Sequence, residues 1–383
     1  MRIGLAAVAL SAVLLGACAS APPAISPVGL LDDAAFAPPS ERIDQADIFA
    51  LSPEMKQFIE TRIAPQLKGS GPRQALMEAL YSDHQLKLEY DAEMTRNAAQ
   101  AFTARSGNCL SLVIMTAAFA KALDLPVRYQ NVLVEEMWSR DGNIYFSIGH
   151  VNITLIAETR IGRGRIEAES TVDFLPPRDS RKQRTRVIDE DTVVAMYLNN
   201  RAVEALARNR LDDAYWWARE AVTRDPRFTS SYNTLGAIYE RRGKPALAEQ
   251  VFAHILRQEP DNTRVIDNLV TVLNDQGRTA EATAWSQVAK QLEPDPPFSF
   301  FKRGLAAMKV KDYATARELF AKEVARAPDY HEFHYWLAAA YVGLGDYSQA
   351  RKHMTIAMEN TTTRKDHDLY AAKFAWIASH APR

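Results

Sequence analysis

Three residues of the types that carry nucleophilic catalysis follow one another along the first half of the chain: Cys109, His150 and Asp173. A thiolate is a strong nucleophile, an imidazole can take its proton and return it, and a carboxylate can orient the imidazole. Together they could attack a carboxamide or peptide carbonyl, form a thioester on the sulfur and release the acyl group to water or to an amine. Taken singly, His150 is better explained as a half-buried histidine and Asp173 as a strand-end carboxylate. The chemistry therefore depends on whether the fold brings the three side chains together.

The predicted helix around Cys109 gives that residue a special position. After Gly107-Asn108, the segment from Cys109 to Leu123 is apolar almost all round, which predicts a helix buried on every side. A helix N-terminus beside an imidazolium favours a thiolate, and the first backbone N–H groups there have no partner within the helix. The N–H of Cys109 is therefore a candidate oxyanion donor. A small buried cysteine without a chemical role is the competing interpretation.

The elements on either side of this helix predict an α+β unit, in which helices pack on an antiparallel sheet. His150 falls in a strand in which Asn152 and Thr154 share its face, while Val151 and Ile153 point the other way. An Asp-Gly turn signal at Asp141 joins two of the strands. The expected helices cover 53–67, 72–86 and 91–104, and the expected strands cover 127–135, 144–157 and 165–174.

Three short motifs carry a family resemblance. Gly107-Asn108-Cys109 at a helix start, Gly149-His150-Val151 in a strand and Val172-Asp173 near the end of the next strand resemble the transglutaminase-like core, over about residues 70–176. The resemblance implies that Cys109, His150 and Asp173 form a catalytic triad like that of papain-like cysteine proteases. Leu110 departs from the pattern, since many members have tryptophan after the nucleophile. Nothing in the sequence suggests the calcium sites of the animal enzymes.

The second half of the chain repeats itself every 34 residues. Within one unit, Tyr232, Leu235-Gly236, Ala248, Phe252 and Pro260 follow the pattern of the tetratricopeptide repeat, which this region resembles. Five such units are expected over residues 195–364. The residues that keep the period are Pro226, Pro260, Pro294 and Pro328, with Ala214, Ala248, Ala282, Ala316 and Ala350.

Stacked helix pairs of this kind leave a concave groove lined by the first helix of each pair. One residue of each unit is predicted to line this groove. The two amides, one carboxylate and two aromatic rings at these positions would suit an extended peptide of a protein partner. A merely solvated helix face is the other interpretation. The predicted groove residues are Asn199, Asn233, Asp267, Phe301 and Tyr335.

The N-terminus predicts export and lipid anchoring. A basic start and a short apolar run lead to Leu15-Gly16-Ala17-Cys18, which resembles the lipobox of bacterial lipoproteins. The resemblance implies cleavage before Cys18 and acylation of its sulfur. Ala19 after the cysteine implies the outer membrane, facing the periplasm. With two cysteines in the chain, lipidation of Cys18 would leave no intramolecular disulfide.

The net charge and the spacing of two histidines limit the partners and cofactors that the chain is expected to bind. A formal net charge of -1 argues against nucleic acid as a partner. His331 and His334 lie one helical turn apart without a third ligand in sight, so neither a metal nor another cofactor is expected.

Two functions stay open: a lipoprotein with a cysteine acyl-transfer or hydrolase core and partner-binding repeats, or a catalytically inactive envelope assembly scaffold. The predicted organisation is a signal peptide (1–17), a flexible tether (18–50), the core (51–176), a basic linker (177–194), the repeats (195–364) and a capping helix with its tail (365–383).

Overall fold

The computed structural model describes residues 27, 29–81, 88–91, 94–141, 144–161, 164–174, 184–361 and 363–380. The predicted signal peptide, Cys18 and the first part of the predicted tether lie outside these residues. Within the described ranges, no helix is long and apolar enough to cross a bilayer.

Short helices and two short strands begin the N-terminal unit. The N-cap side chain of Ser52 accepts a hydrogen bond from the Met55 N–H, and a turn of π-helix and one of 3-10 helix lead from the first helix into the second, which is broken at Gly71 (φ 75°). The third helix begins at Ala98, later than the predicted residue 91, because residues 89–91 instead pair in extended form with residues 106–107. The elements are α1 (Pro53–Phe58), α2 (Leu67–Tyr81), β1 (Glu89–Tyr90), α3 (Ala98–Ala104) and β2 (Ser106–Gly107).

Helix α4 (Cys109–Ala122) is the centre of this unit. As its sequence predicts, the helix is enclosed on all sides, and the twelve residues from Cys109 to Ala120 are all buried. Asn108 is the N-cap, and its side-chain oxygen accepts a hydrogen bond from the Ser111 N–H at 2.9 Å. The helix begins with Cys109, and it packs against α3 and the sheet.

Four antiparallel strands form the sheet, in the order β5-β4-β3-β6. The last strand corrects a prediction, because it lies within residues 177–194, which the sequence suggested as a linker. Strand β3 would otherwise present an unpaired edge, and the final strand covers it by pairing Tyr129 with Ile188. The strands are β3 (Val127–Asp141), β4 (Ile144–Ile161), β5 (Gly164–Val172) and β6 (Arg184–Ile188).

Five helix pairs and a final helix form the C-terminal part, in agreement with the 34-residue period. In the second and fourth pairs the two helices approach closely, and the glycine of the first helix faces an aromatic ring of the second. A Cβ atom on Gly236 would lie 2.4 Å from the Phe252 ring, and one on Gly304 would lie 2.5 Å from the Phe320 ring. The helices are α5 (Glu190–Ala207), α6 (Leu211–Arg224), α7 (Thr229–Arg241), α8 (Pro245–Leu256), α9 (Thr263–Asp275), α10 (Thr279–Leu292), α11 (Ser299–Lys309), α12 (Tyr313–Arg326), α13 (His331–Gly343), α14 (Tyr347–Asn360) and α15 (Arg364–His380).

The predicted flexible tether is wrong for its second half. Residues 29–50, here called the N-terminal strap, lie against the first two repeats. Phe36 is 7% exposed and stacks on Tyr215 with 4.0 Å between ring centroids. The Tyr239 hydroxyl donates to the carbonyl of Leu30 at 2.9 Å. The strap is therefore part of the folded structure and not a spacer.

The hydrophobic core crosses the predicted boundary between the N-terminal unit and the repeats. One continuous cluster of buried side chains includes Phe36, residues of α4 and the sheet, and the helices of the first three repeats. At the start of α5, Glu190 accepts hydrogen bonds from Lys121 at 2.6 Å and from the Tyr129 hydroxyl at 3.0 Å. The N-terminal unit and the first repeats are thus packed as one body.

Replacing Phe36 by alanine is expected to lower the free energy of unfolding by about 3–5 kcal/mol, the usual cost of removing a buried phenylalanine. Phe300→Ala is the control, since that ring is only partly buried and lies over Lys322 and Arg326. Thermal unfolding followed by circular dichroism compares the two variants. Equal shifts in Tm would show that the strap contributes no more than a surface residue.

Candidate active site and repeat groove

The pairing of β4 with β5 brings His150 and Asp173 together. Ile153 is paired with Val172, so that Asp173, the next residue along the chain, lies beside the part of β4 that carries His150. The distance from His150 Nε2 to Asp173 Oδ1 is 2.7 Å, and Asn152 donates to the other carboxylate oxygen at 3.5 Å. The His150 side chain is fully buried, whereas that of Asp173 is 24% exposed.

The Cys109 thiol is the second neighbour of the imidazole. Burial lowers the pKa of His150, but hydrogen bonds to Asp173 and to Cys109, with the charges of both groups, raise it to about 9. Asp173 contacts Nε2 of His150, so Nδ1 is the ring nitrogen available to the thiol. Nδ1 is buried and has no hydrogen-bond partner of full geometry among the described residues.

The pairing of β3 with β4 is irregular next to His150. The register of β3 against β4 shifts between Val132 and Met137, immediately after the pairing of Val132 with His150. Such irregularities bend a strand and change the direction of the side chains next to them. No residue pattern in the sequences of β3 and β4 indicates where this irregularity lies.

Tyr90 is a site residue that the sequence did not indicate. In the two-residue pairing of β1 with β2, Tyr90 lies opposite Gly107, two residues before Cys109. Burial raises the pKa of Tyr90 above its usual range, and the nearby charges of Cys109 and Asp91 raise it further. A strand of two residues has no periodicity, so the sequence offers no pattern from which this neighbour of Cys109 could be found.

The five predicted groove residues have different surroundings. Asn199 and Asn233 are half-buried, and Asp267 is exposed. The side-chain oxygen of Asn233 accepts a hydrogen bond from Asn268 of the next repeat at 2.9 Å. Tyr335 is half-buried and stacks on Tyr370 of the final helix, with 4.9 Å between centroids.

Phe301 corrects the groove prediction, because its ring is fully buried in the core of the fourth repeat. It packs on Phe320 and Phe333, with ring centroids 5.7 and 5.3 Å apart. The neighbouring Phe300 takes the outer position, where Lys322 lies over its ring at 4.9 Å. The helix α11 thus turns the second of the two aromatics, not the first, towards the core.

The two histidines that lie one helical turn apart, His331 and His334, have protein partners. His331 Nδ1 lies 2.8 Å from the Tyr370 hydroxyl, and His334 Nδ1 lies 3.0 Å from Nδ1 of His353. Within the described residues, no three groups of metal-ligand type come together.

Comparisons with known proteins concern the repeats. A family model described as tetratricopeptide repeat matches residues 307–371. The type IV pilus assembly protein PilF of Pseudomonas aeruginosa is 28% identical over 121 residues, which are 31% of this chain and 48% of PilF. Protein FlbA of Caulobacter vibrioides is 26% identical over 132 residues, 34% of this chain and 22% of FlbA. The chain thus spans about half the length of one of these relatives and about a fifth of the other.

Two solved structures are similar to about half of the chain. The structure of Pseudomonas aeruginosa PilF is 22% identical, covers 50% of this chain and 86% of that protein, and gives a TM-score of 0.31. Yeast Tom70 is 16% identical, covers 48% of this chain and 40% of that protein, and gives a TM-score of 0.35. The family match and the helix pairs together identify the C-terminal part as a solenoid of tetratricopeptide repeats, which supports binding of a protein partner.

Proposed function

We propose that this chain is a scaffold that binds an extended segment of a protein partner in the repeat groove. The observation that carries this proposal is Asn199, whose side-chain oxygen is buried without a hydrogen-bond partner among the described residues. Such an orphaned acceptor is costly, and a peptide main-chain N–H would satisfy it. Asn233 and Asp267 offer further polar groups on the next two first helices. An assembly role would parallel that of the PilF relative as its name gives it, a type IV pilus assembly protein.

A photo-crosslinking amino acid at position 233 is expected to capture the partner in cells, since this position is proposed to line the groove. The matched control is position 283, where Thr283 is exposed on α10, a second helix of its pair. The crosslinked species are compared by electrophoresis and mass spectrometry. The Asn199→Ala change is expected to reduce the yield at position 233. Equal crosslinking at both positions would contradict a groove-bound partner.

We infer a second function, cysteine acyl transfer, from the contact of His150 with Asp173 and from the influence of the Cys109 thiol on the pKa of that imidazole. The transglutaminase-like resemblance of the N-terminal unit supports it. In this reaction the Cys109 thiol gives its proton to His150, and the sulfur attacks the carbonyl carbon of a carboxamide or peptide bond. Asp173 holds the imidazole and stabilises its protonated form.

The remaining steps form the thioester and then release the acyl group, and His150 transfers the proton in each. The tetrahedral intermediate collapses to a thioester on Cys109, and His150 returns the proton to the leaving amine. Water or an amine then attacks the thioester and gives up a proton through His150, which frees the thiol. The Cys109 N–H at the start of α4 is the proposed donor to the oxyanion. The choice between hydrolysis and aminolysis depends on the acceptor that reaches the thioester.

Alkylation by iodoacetamide tests this chemistry on the full chain. In the proposed triad an imidazolium beside the sulfur keeps it ionised at lower pH, so the wild-type rate is expected to change little between about pH 6 and 8. In His150→Ala the rate should follow an ordinary thiol and fall about tenfold per pH unit on acidification. Cys109→Ser is the blank. A wild-type profile that matches the alanine variant would exclude the triad and leave the inactive scaffold.

We also propose that Cys18 carries a lipid that anchors the protein to the outer membrane, facing the periplasm. The lipobox-like Leu15-Gly16-Ala17-Cys18 and the absence of aspartate at position 19 support this. The anchor would place the repeats and the candidate cysteine site in the envelope.

The Cys18→Ser variant should lose lipidation, because acylation requires the thiol, and the protein should leave the membrane fraction or accumulate with its leader uncleaved. Detergent partitioning and intact mass measure this. The variant Cys109→Ser, which keeps Cys18, is the matched control. An unchanged partition of Cys18→Ser would refute the anchor.

A further inference from the structure

A series of partly buried hydrogen bonds joins the first repeat helix to the residue that precedes Cys109. Thr95, which is 1% exposed, lies at its centre in the segment before α3. On the side of α5, Glu204 accepts from the Thr95 N–H at 2.7 Å and Asn200 donates to the Thr95 hydroxyl oxygen at 3.2 Å. On the other side, Asn108 donates to the same oxygen at 2.9 Å. Thr95 therefore connects the repeats with the N-cap of the cysteine helix.

Both ends of the Asn108 amide are held. Its nitrogen is bound to Thr95, and its oxygen accepts from the Ser111 N–H at 2.9 Å and from the Ser111 hydroxyl at 2.8 Å. Ser111 in turn accepts from the Arg96 N–H at 2.8 Å. The first turn of α4, with Cys109 as its first residue, is thus fixed by a side chain that Thr95 orients.

Glu204 shows that the connection is not incidental packing. The carboxylate belongs to a repeat helix, yet it is used by a residue outside the repeats. Burial raises the pKa of Glu204. The hydrogen bonds from the backbone and the side chain of Thr95 act in the opposite direction, as does the charge of Arg201. A buried carboxylate is costly unless its hydrogen bonds are made. Removing the Thr95 hydroxyl takes away the hydrogen bonds from Asn200 and from Asn108, and so disturbs both sides of the junction.

We propose that Thr95 is a positioning residue for the cysteine site: held by Glu204 and Asn200 of the first repeat, it orients Asn108 and thereby the N-terminal turn that carries the Cys109 sulfur and N–H. This inference rests on the proposed acyl-transfer function. It makes the first repeat helix a part of the site, so that the cysteine unit requires the repeats for its reactivity as well as for its packing.

The test compares Thr95→Val with Thr95→Ser in the full chain. Valine keeps the shape of threonine but loses the hydroxyl, whereas serine keeps the hydroxyl. The rate of iodoacetamide alkylation of Cys109 is measured from pH 6 to 9. Thr95→Val is expected to be about tenfold slower near pH 7 and to shift towards the profile of His150→Ala, because small displacements at a reactive group are costly. Thr95→Ser is expected to stay within about twofold of the wild type.

The possible results distinguish a failure of the positioning role of Thr95 from a failure of the proposed acyl-transfer function. A Thr95→Val profile equal to the wild type, while His150→Ala is slow, overturns the positioning role and leaves the cysteine chemistry intact. A wild-type thiol that reacts like His150→Ala overturns both. Should Thr95→Val fail to fold by circular dichroism, Asn200→Ala, which removes one hydrogen bond to Thr95, takes its place with an expected slowing of about threefold. Wild-type rates in that variant would again overturn the positioning role.

Discussion

Helix α5 has to bury two faces at once, and most of the architecture depends on this requirement. One face packs with α6 and α7 as the first helix of the repeats, and the other meets α4 and β3 of the N-terminal unit. Eight of its residues are buried, among them Val193, Leu198 and Ala202. A solenoid of stacked repeats needs a cover on its first helix. Here that cover is a complete α+β unit.

Polar contacts then determine how the two parts are oriented. Apolar surfaces alone tolerate rotation and sliding, whereas a buried polar group has few arrangements in which its hydrogen bonds are satisfied. At this junction Thr95 and Glu204 supply one such constraint, and the strap supplies another, in which Asp213, 5% exposed, accepts from the backbone and the hydroxyl of Ser40 at 2.6 and 2.8 Å. The cysteine site and the first repeats are consequently fixed relative to each other.

What could be predicted from the sequence followed from local rules. The enclosed helix beginning at Cys109 shows in its composition, and the proximity of His150 to Asp173 follows from two adjacent strands joined by a turn. The strap could not be predicted, because Phe36 is in contact with Tyr215, far along the chain, and its own neighbourhood looks like a spacer. Phe301 was misplaced because two adjacent aromatics leave the helix phase open, and only packing against Phe320 decides which one is buried.

The core is not continuous along the whole solenoid. In α10, the second helix of the third repeat, Ala282 is the one residue buried, and the buried residues that follow, beginning with Phe298, form separate clusters. Stability in stacked repeats is a sum of neighbouring contacts, so a thinly packed interface is where such an array opens first. We therefore expect the interface between the third and fourth repeats to open before the interfaces within the first three. A partner lying along the groove would be held at one end by repeats packed on the cysteine unit and at the other by repeats that can adjust to it.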